Sequence, residues 1–121
     1  MEIKVVQAEE STKGRVSAEW GSLTWLAGAE HGGAEGTTVG RVVIKKNESN
    51  PRHSHPTCEE VLYLLGGKLE HSVGDETTIM EPGDTIILPA GVYHNAKSVG
   101  DVDADMIVSY NSARRDFQPE D

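Results

Sequence analysis

Basic residues are scarce in this chain. Lysine and arginine number 11 against 20 aspartates and glutamates, a formal net charge of -9 at pH 7. A surface of that sign repels phosphate backbones and anionic headgroups, which argues against nucleic acid and membrane partners. Cysteine is almost absent: the single Cys58 excludes an internal disulfide framework and suits a reducing compartment. Long apolar runs are missing too. No stretch approaches the ~20 apolar residues of a membrane span, and Met1 to Gln7 has no apolar signal region, so a cytoplasmic soluble protein is the expectation. Aromatics make up 5% and hydrophobic residues 36% of 121 residues, enough for a single core, so residues 1–121 are expected to form one domain.

Glycine is plentiful, with 13 residues, and five prolines join it in punctuating short β-prone runs. Strands are expected at Ile3 to Gln7, Ser22 to Leu26, Val39 to Lys46, Arg52 to His55, Glu60 to Leu65, Lys68 to Val73, Glu76 to Met80, Thr85 to Leu88, His94 to Ser98 and Asp105 to Ser109. A polar loop separates the first two. Almost no helix is expected, and roughly ten short strands imply an antiparallel barrel or sandwich. The Gly-rich stretch Ala27 to Thr38 reads as a connecting loop that could serve as a lid, and the charged tail Ser112 to Asp121 as one helical turn or none.

Within that pattern lies a group of metal-ligand residue types: His53, His55, Glu60 and His94. In a strand, alternate side chains share a face, so Arg52-His53-Ser54-His55 points both imidazoles the same way. Pro56 stops that strand, a short turn follows, and Glu60 opens the run Val61-Leu62-Tyr63-Leu64-Leu65, from which it can fold back across the histidine pair. Pro89-Ala90-Gly91 then bends the chain into a strand led by His94. Imidazole nitrogen and carboxylate oxygen suit divalent first-row metals. Glu59 competes with Glu60 as the carboxylate. If Glu60 faces inward, so do Leu62 and Leu64, with Val61, Tyr63 and Leu65 outside, and this alternation favours Glu60.

These segments resemble the two motifs of the cupin superfamily. The first runs G, five residues, H-x-H, three or four residues, E, six residues, G; His53, His55, Glu60 and Gly67 match it at residues 47–67. The second runs G, five residues, P-x-G, two residues, H, three residues, N; Gly83, Pro89, Gly91 and His94 match it at residues 83–98. Asn47 and Ser98 stand where the motifs have Gly and Asn, and both read as altered turn chemistry rather than as lost ligands. The resemblance implies an all-β, double-stranded β-helix (jelly-roll) cupin barrel, usually a homodimer, with His53, His55, Glu60 and His94 holding a divalent metal ion: Fe, Mn, Ni or Zn.

Other residues bear on what such a metal would serve. Met106, Val108 and Tyr110 share one strand face and are candidates to close the cavity. Arg41, in a mostly apolar strand, would offer a carboxylate-binding fork if it faced inward, or a surface ion pair if outward. Tyr93 and Trp25 are candidates for the rim; Arg41 and Tyr93 are carried as substrate contacts. His71 lies on a strand whose inner face is ambiguous. His31 reads as a solvated loop residue and Cys58 as a small, partly buried thiol. An octahedral metal held by these four groups keeps open positions for a small-molecule ligand. The expected function is therefore a metalloenzyme on a small organic acid, either a dioxygenase or an isomerase/lyase using the metal as Lewis acid. An apolar lining leans towards the dioxygenase. The alternative is a non-catalytic metal-bearing binding or sensor module.

Overall fold

The computed structural model describes residues 1–121. In chain order it contains α1 (Ala8–Lys13), β1 (Val16–Ala18), β2 (Gly21–Ala27), β3 (Thr38–Ile44), β4 (His53–Ser54), β5 (Glu60–Gly66), β6 (Leu69–Val73), β7 (Glu76–Met80), β8 (Thr85–Leu88), β9 (His94–Ser98), β10 (Ala104–Tyr110) and β11 (Gln118–Pro119). Two antiparallel sheets face each other: β1-β2-β3-β10-β5-β8 and β11-β4-β9-β6-β7. This is the jelly-roll arrangement that the family resemblance implies.

Period-two alternation sorts the side chains. On β5, Glu60, Leu62 and Leu64 are buried while Val61, Tyr63 and Leu65 are exposed. On β10, Met106, Val108 and Tyr110 point inward together, one of the two orientations that the sequence left open, and pair in register with Leu64, Leu62 and Glu60 of β5. Ile44, Leu64, Leu69, Leu88, Met106 and Val108 are the largest apolar side chains removed from water, each worth about 1.5–3 kcal/mol. Gly40 sits where a Cβ would lie 2.7 Å from the Trp25 ring, so the indole can cross β3 closely and stand as a wall of the interior.

Asn47 and Ser98, the two departures from the motifs, are neighbours. Asn47 has φ 70°, the left-handed conformation that glycine adopts freely and asparagine tolerates best among other residues. Its N–H donates to Ser98 O at 2.9 Å, and Ser98 N–H donates to Glu48 O at 2.9 Å. The turn survives both replacements.

The structure departs from the sequence expectations at the N-terminus, before β2 and in the tail. Ile3 to Gln7 is no strand: Met1, Ile3 and Val5 are exposed, and the alternation there finds no sheet edge. The adjoining α1 was not expected, because its six residues are too few for helical periodicity to show. Acidic Glu9 and Glu10 in its first turn and Lys13 in its last complement its dipole. The polar stretch before β2 contains β1, which pairs as Val16↔Leu23, Ser17↔Ser22 and Ala18↔Gly21. Finally, the tail holds no helical turn, one of the two alternatives expected, and its short strand was not expected. It forms β11, which pairs with β4 as Gln118↔Ser54 and Pro119↔His53.

Candidate metal centre

The sheet of β4, β9 and β6 brings the histidines together. His53 on β4 is the register partner of His94 on β9, and His55 follows β4 directly. Glu60 arrives from the opposite sheet as the first residue of β5. One donor atom from each of the four lies within 4.8 Å of all the others, and all four residues are buried. Glu59 does not join them; its N–H is tied to Asn111 Oδ1.

Hydrogen bonds on the far side of two rings set their tautomers. His53 Nδ1 lies 2.7 Å from Pro51 O and His55 Nδ1 lies 2.6 Å from Asp116 O. A carbonyl only accepts, so each Nδ1 carries the proton and each Nε2 presents a lone pair. His55 Nε2, His94 Nε2 and Glu60 Oε1 are buried with no hydrogen-bond partner in the protein. Glu60 Oε1 approaches the two nitrogens to 3.2 and 3.6 Å without hydrogen-bonding geometry. Orphaned buried polar atoms cost about 1–3 kcal/mol each, and here two imidazole nitrogens and a carboxylate oxygen are orphaned close to one another. A divalent cation fits that donor set.

Ionisation agrees with ligation. Burial pushes His94 down to about 3 and lowers His53, so both rings are neutral near pH 7. Burial alone would raise the Glu60 carboxyl, but the surrounding imidazoles outweigh it and hold Glu60 below its usual range. Tyr110, buried beside Glu60, is pushed well above the ordinary phenol value by burial and by that carboxylate, so it stays protonated.

A cavity of about 280 Å³ opens from the four donors, walled mainly by hydrophobic side chains including Trp25, Val42, Leu62, Met106 and Val108. His71 also lines it, which resolves the ambiguity of its strand face. Trp25, a candidate for the rim, lines the cavity as a wall. Arg41 and Tyr93 are not part of the lining. Arg41 faces solvent and forms a two-pronged ion pair with Asp105, at 2.8 and 2.6 Å, because on β3 it alternates against buried Val42. None of residues 28–37 lines the cavity itself; residues 28–31 line an adjoining hollow with Trp25, Arg115 and Phe117.

Residues 115–117 cover the mouth, a role not anticipated from the sequence. The Phe117 ring stacks on His53 with centroids 4.8 Å apart at 22°. Asp116 accepts from His55 through its backbone, and from Thr57 N–H and Oγ1–H through its carboxylate. Cys58, whose thiol burial pushes up, lies 3.6 Å from the same carboxylate. Arg115 lays its guanidinium 4.4 Å from the Trp25 ring centroid and 5.5 Å from that of Phe117, and it forms no salt bridge. The one signal in the sequence was Phe117, the chain's only phenylalanine, set in a polar tail.

A family model described as "Cupin domain" matches residues 40–110. The chain belongs to the cupin family. Among curated cupin relatives, a germin-like protein of Arabidopsis thaliana, subfamily 2 member 1, is 34% identical over 84 residues, covering 64% of this chain and 37% of that protein. Germin-like protein 3-5 of Oryza sativa is 32% identical over 103 residues, 78% of this chain and 41% of its own length. This cupin thus spans less than half the length of these relatives. Among solved structures, the oxalate decarboxylase of Lactobacillus farciminis in a formate complex superposes with TM-score 0.82 at 18% identity, covering 87% of this chain and 32% of that one. An oxalate oxidase matches with TM-score 0.76 at 24% identity, covering 98% and 62%. At such identities these structures support the fold. No helix of the chain is long and apolar enough to cross a membrane.

Proposed function

We propose that this cupin is a metal-dependent oxidoreductase acting on a small organic acid with an apolar body. The observation that carries the proposal is the pairing of two unlike features in one cavity. At its base are four converging ligand groups, three of them with a buried donor atom that has no partner in the protein, and at its mouth is Arg115, a guanidinium without a carboxylate partner. His53, His55, Glu60 and His94 would hold the ion. A bound iron or manganese ion would supply Lewis acidity and a redox couple, whereas nickel or zinc would supply Lewis acidity.

The chain's own residues do the rest. Arg115 offers a planar fork to a carboxylate, and stacking on Trp25 holds the fork in place. Tyr110 keeps its proton and is available as a donor beside Glu60. The hydrophobic walls exclude water and suit a hydrocarbon body better than a sugar, which would need several polar partners. Oxalate is named for two of the fold neighbours, and a small carboxylate is the chemistry carried over here.

The test is reconstitution of the full chain with Fe(II), Mn(II), Ni(II) or Zn(II), followed by oxygen uptake with a panel of small acids. Oxygen consumption that requires iron or manganese, and that weakens at least tenfold in KM for acids in Arg115→Met, is the expected result. Turnover without oxygen would replace the oxidoreductase with an isomerase or lyase, and tight binding without turnover would make it a sensor module.

A homodimer forms part of the same proposal. Val61, Tyr63 and Leu65 of β5 and Ile87 of β8 expose an apolar outer face on an edge of the larger sheet, and Ile3 and Val5 expose more. A second copy burying that face predicts twice the chain mass by light scattering, and the monomer mass for Tyr63→Lys.

A further inference from the structure

Apart from the four donors, few polar side chains line the cavity. Asn50 is committed, its Oδ1 accepting from Ala96 N–H at 2.8 Å. Arg115 is charged and sits at the mouth, and Tyr110 stands beside Glu60. His71 is different. It lies on the inner side of β6, opposite Ala96 on β9 and Thr78 on β7, and is 2% exposed. Both of its ring nitrogens are buried with no hydrogen-bond partner in the protein.

His71 is not one of the four donors. Its ring lies 5.8 Å from the His94 ring, stacked at 29°, and its nitrogens fall outside the cluster of mutually close ligand atoms. An imidazole of this kind carries one N–H and one lone pair, and hiding both from any partner disfavours the empty fold. Leucine at this place would fill the space with no orphaned groups. A buried donor and acceptor pair turned towards an apolar cavity is the arrangement that reads a protic substituent on whatever occupies it.

We propose that His71 is a specificity-determining residue that hydrogen-bonds a hydroxyl group carried on the body of the bound organic acid. The inference rests on the proposed function, in which Arg115 holds the acid's carboxylate. The ligand's O–H donates to one ring nitrogen, or the ring's N–H donates to the ligand's hydroxyl oxygen. Either way the hydroxylated acid satisfies a group that its deoxy counterpart leaves bare.

The test uses the metal-reconstituted full chain, with His71→Leu and His71→Gln, and calorimetric titration with benzoate against 3-hydroxybenzoate and propionate against 3-hydroxypropionate. The wild-type protein is expected to prefer the hydroxylated member by about tenfold, the scale of one buried hydrogen bond. His71→Leu should abolish the preference while retaining metal stoichiometry and affinity for the plain acid. His71→Gln, which keeps a donor and an acceptor, should restore part of it. In the metal-free state, His71→Leu should melt at the same temperature as wild type or higher, which no structural role would produce. The inference is overturned if plain acids bind but neither pair shows a preference, if His71→Leu keeps the preference, or if that variant loses metal and melts lower. If no acid of either kind binds the wild-type protein, the proposed function itself fails first.

Discussion

Acidifying the metal-free protein should destabilise it well before its carboxylates titrate. His94 and His71 are each buried, and burial pushes them down to about 3 and about 4 respectively, whereas in an unfolded chain both titrate near 6.5. Between pH 6.5 and the folded values, the unfolded state therefore binds protons that the folded state refuses. A group depressed in this way costs nothing above pH 6.5 and subtracts stability progressively below it. From pH 7 to pH 5 the loss is about 2 kcal/mol for each ring, hence about 4 kcal/mol for the two. Glu60 works in the opposite range: its carboxyl is held below normal, so it favours the fold above the ordinary carboxylate value and adds its own loss only below that. A domain of this size has only about 5–15 kcal/mol to lose. Urea unfolding of chelator-treated protein at pH 7 and pH 5, followed by far-ultraviolet circular dichroism, measures the difference directly. His71→Leu should remove about half of it. An unfolding midpoint that does not move between the two pH values would refute the assignment of buried neutral imidazoles.

Two further substitutions probe the site and its surroundings. Glu60→Gln keeps the shape of the side chain but removes the only carboxylate among the four donors, so metal affinity measured by competition with a chelator should fall by at least tenfold, with the fold retained; unchanged affinity would remove Glu60 from the ligand set. Arg41→Ala breaks an ion pair whose arginine side chain is 50% exposed, so thermal stability should change by no more than about 1 kcal/mol and acid binding not at all, and weakened acid binding in this variant would return Arg41 to the cavity.

The division between what the chain announced and what folding decided follows from the range of each signal. The period of two in Glu60-Val61-Leu62-Tyr63-Leu64 and in Met106-Ile107-Val108 is local; it gave the inner face of the first strand once Glu60 was taken as the ligand, whereas the face of the second was open until its pairing with β5 was known. The spacing of His53, His55, Glu60 and His94 is local within two hairpins, and it picked out four donors that meet. Even the Asn47 departure was legible, since asparagine is the residue other than glycine best suited to φ 70°.

Periodicity does not say which of two faces is the inner one when polar residues occupy both. That is why Arg41, between Gly40 and Val42, stayed open until β3 was seen paired with β10 and its guanidinium with Asp105. The same uncertainty hid His71. The tail was hidden more completely, because its contacts carry no periodicity at all: His55 meets Asp116 across 61 positions of sequence, and Phe117 covers His53 only because β11 pairs with β4. Side-chain alternation and motif spacing are properties of a few consecutive residues, so the sequence alone determined most of the strands and the four donors, and the family resemblance carried by the motifs implied the jelly roll. The cation at the mouth, the cover over the histidines and the unpartnered His71 depend on which distant segments come into contact, and only the tertiary structure decided them.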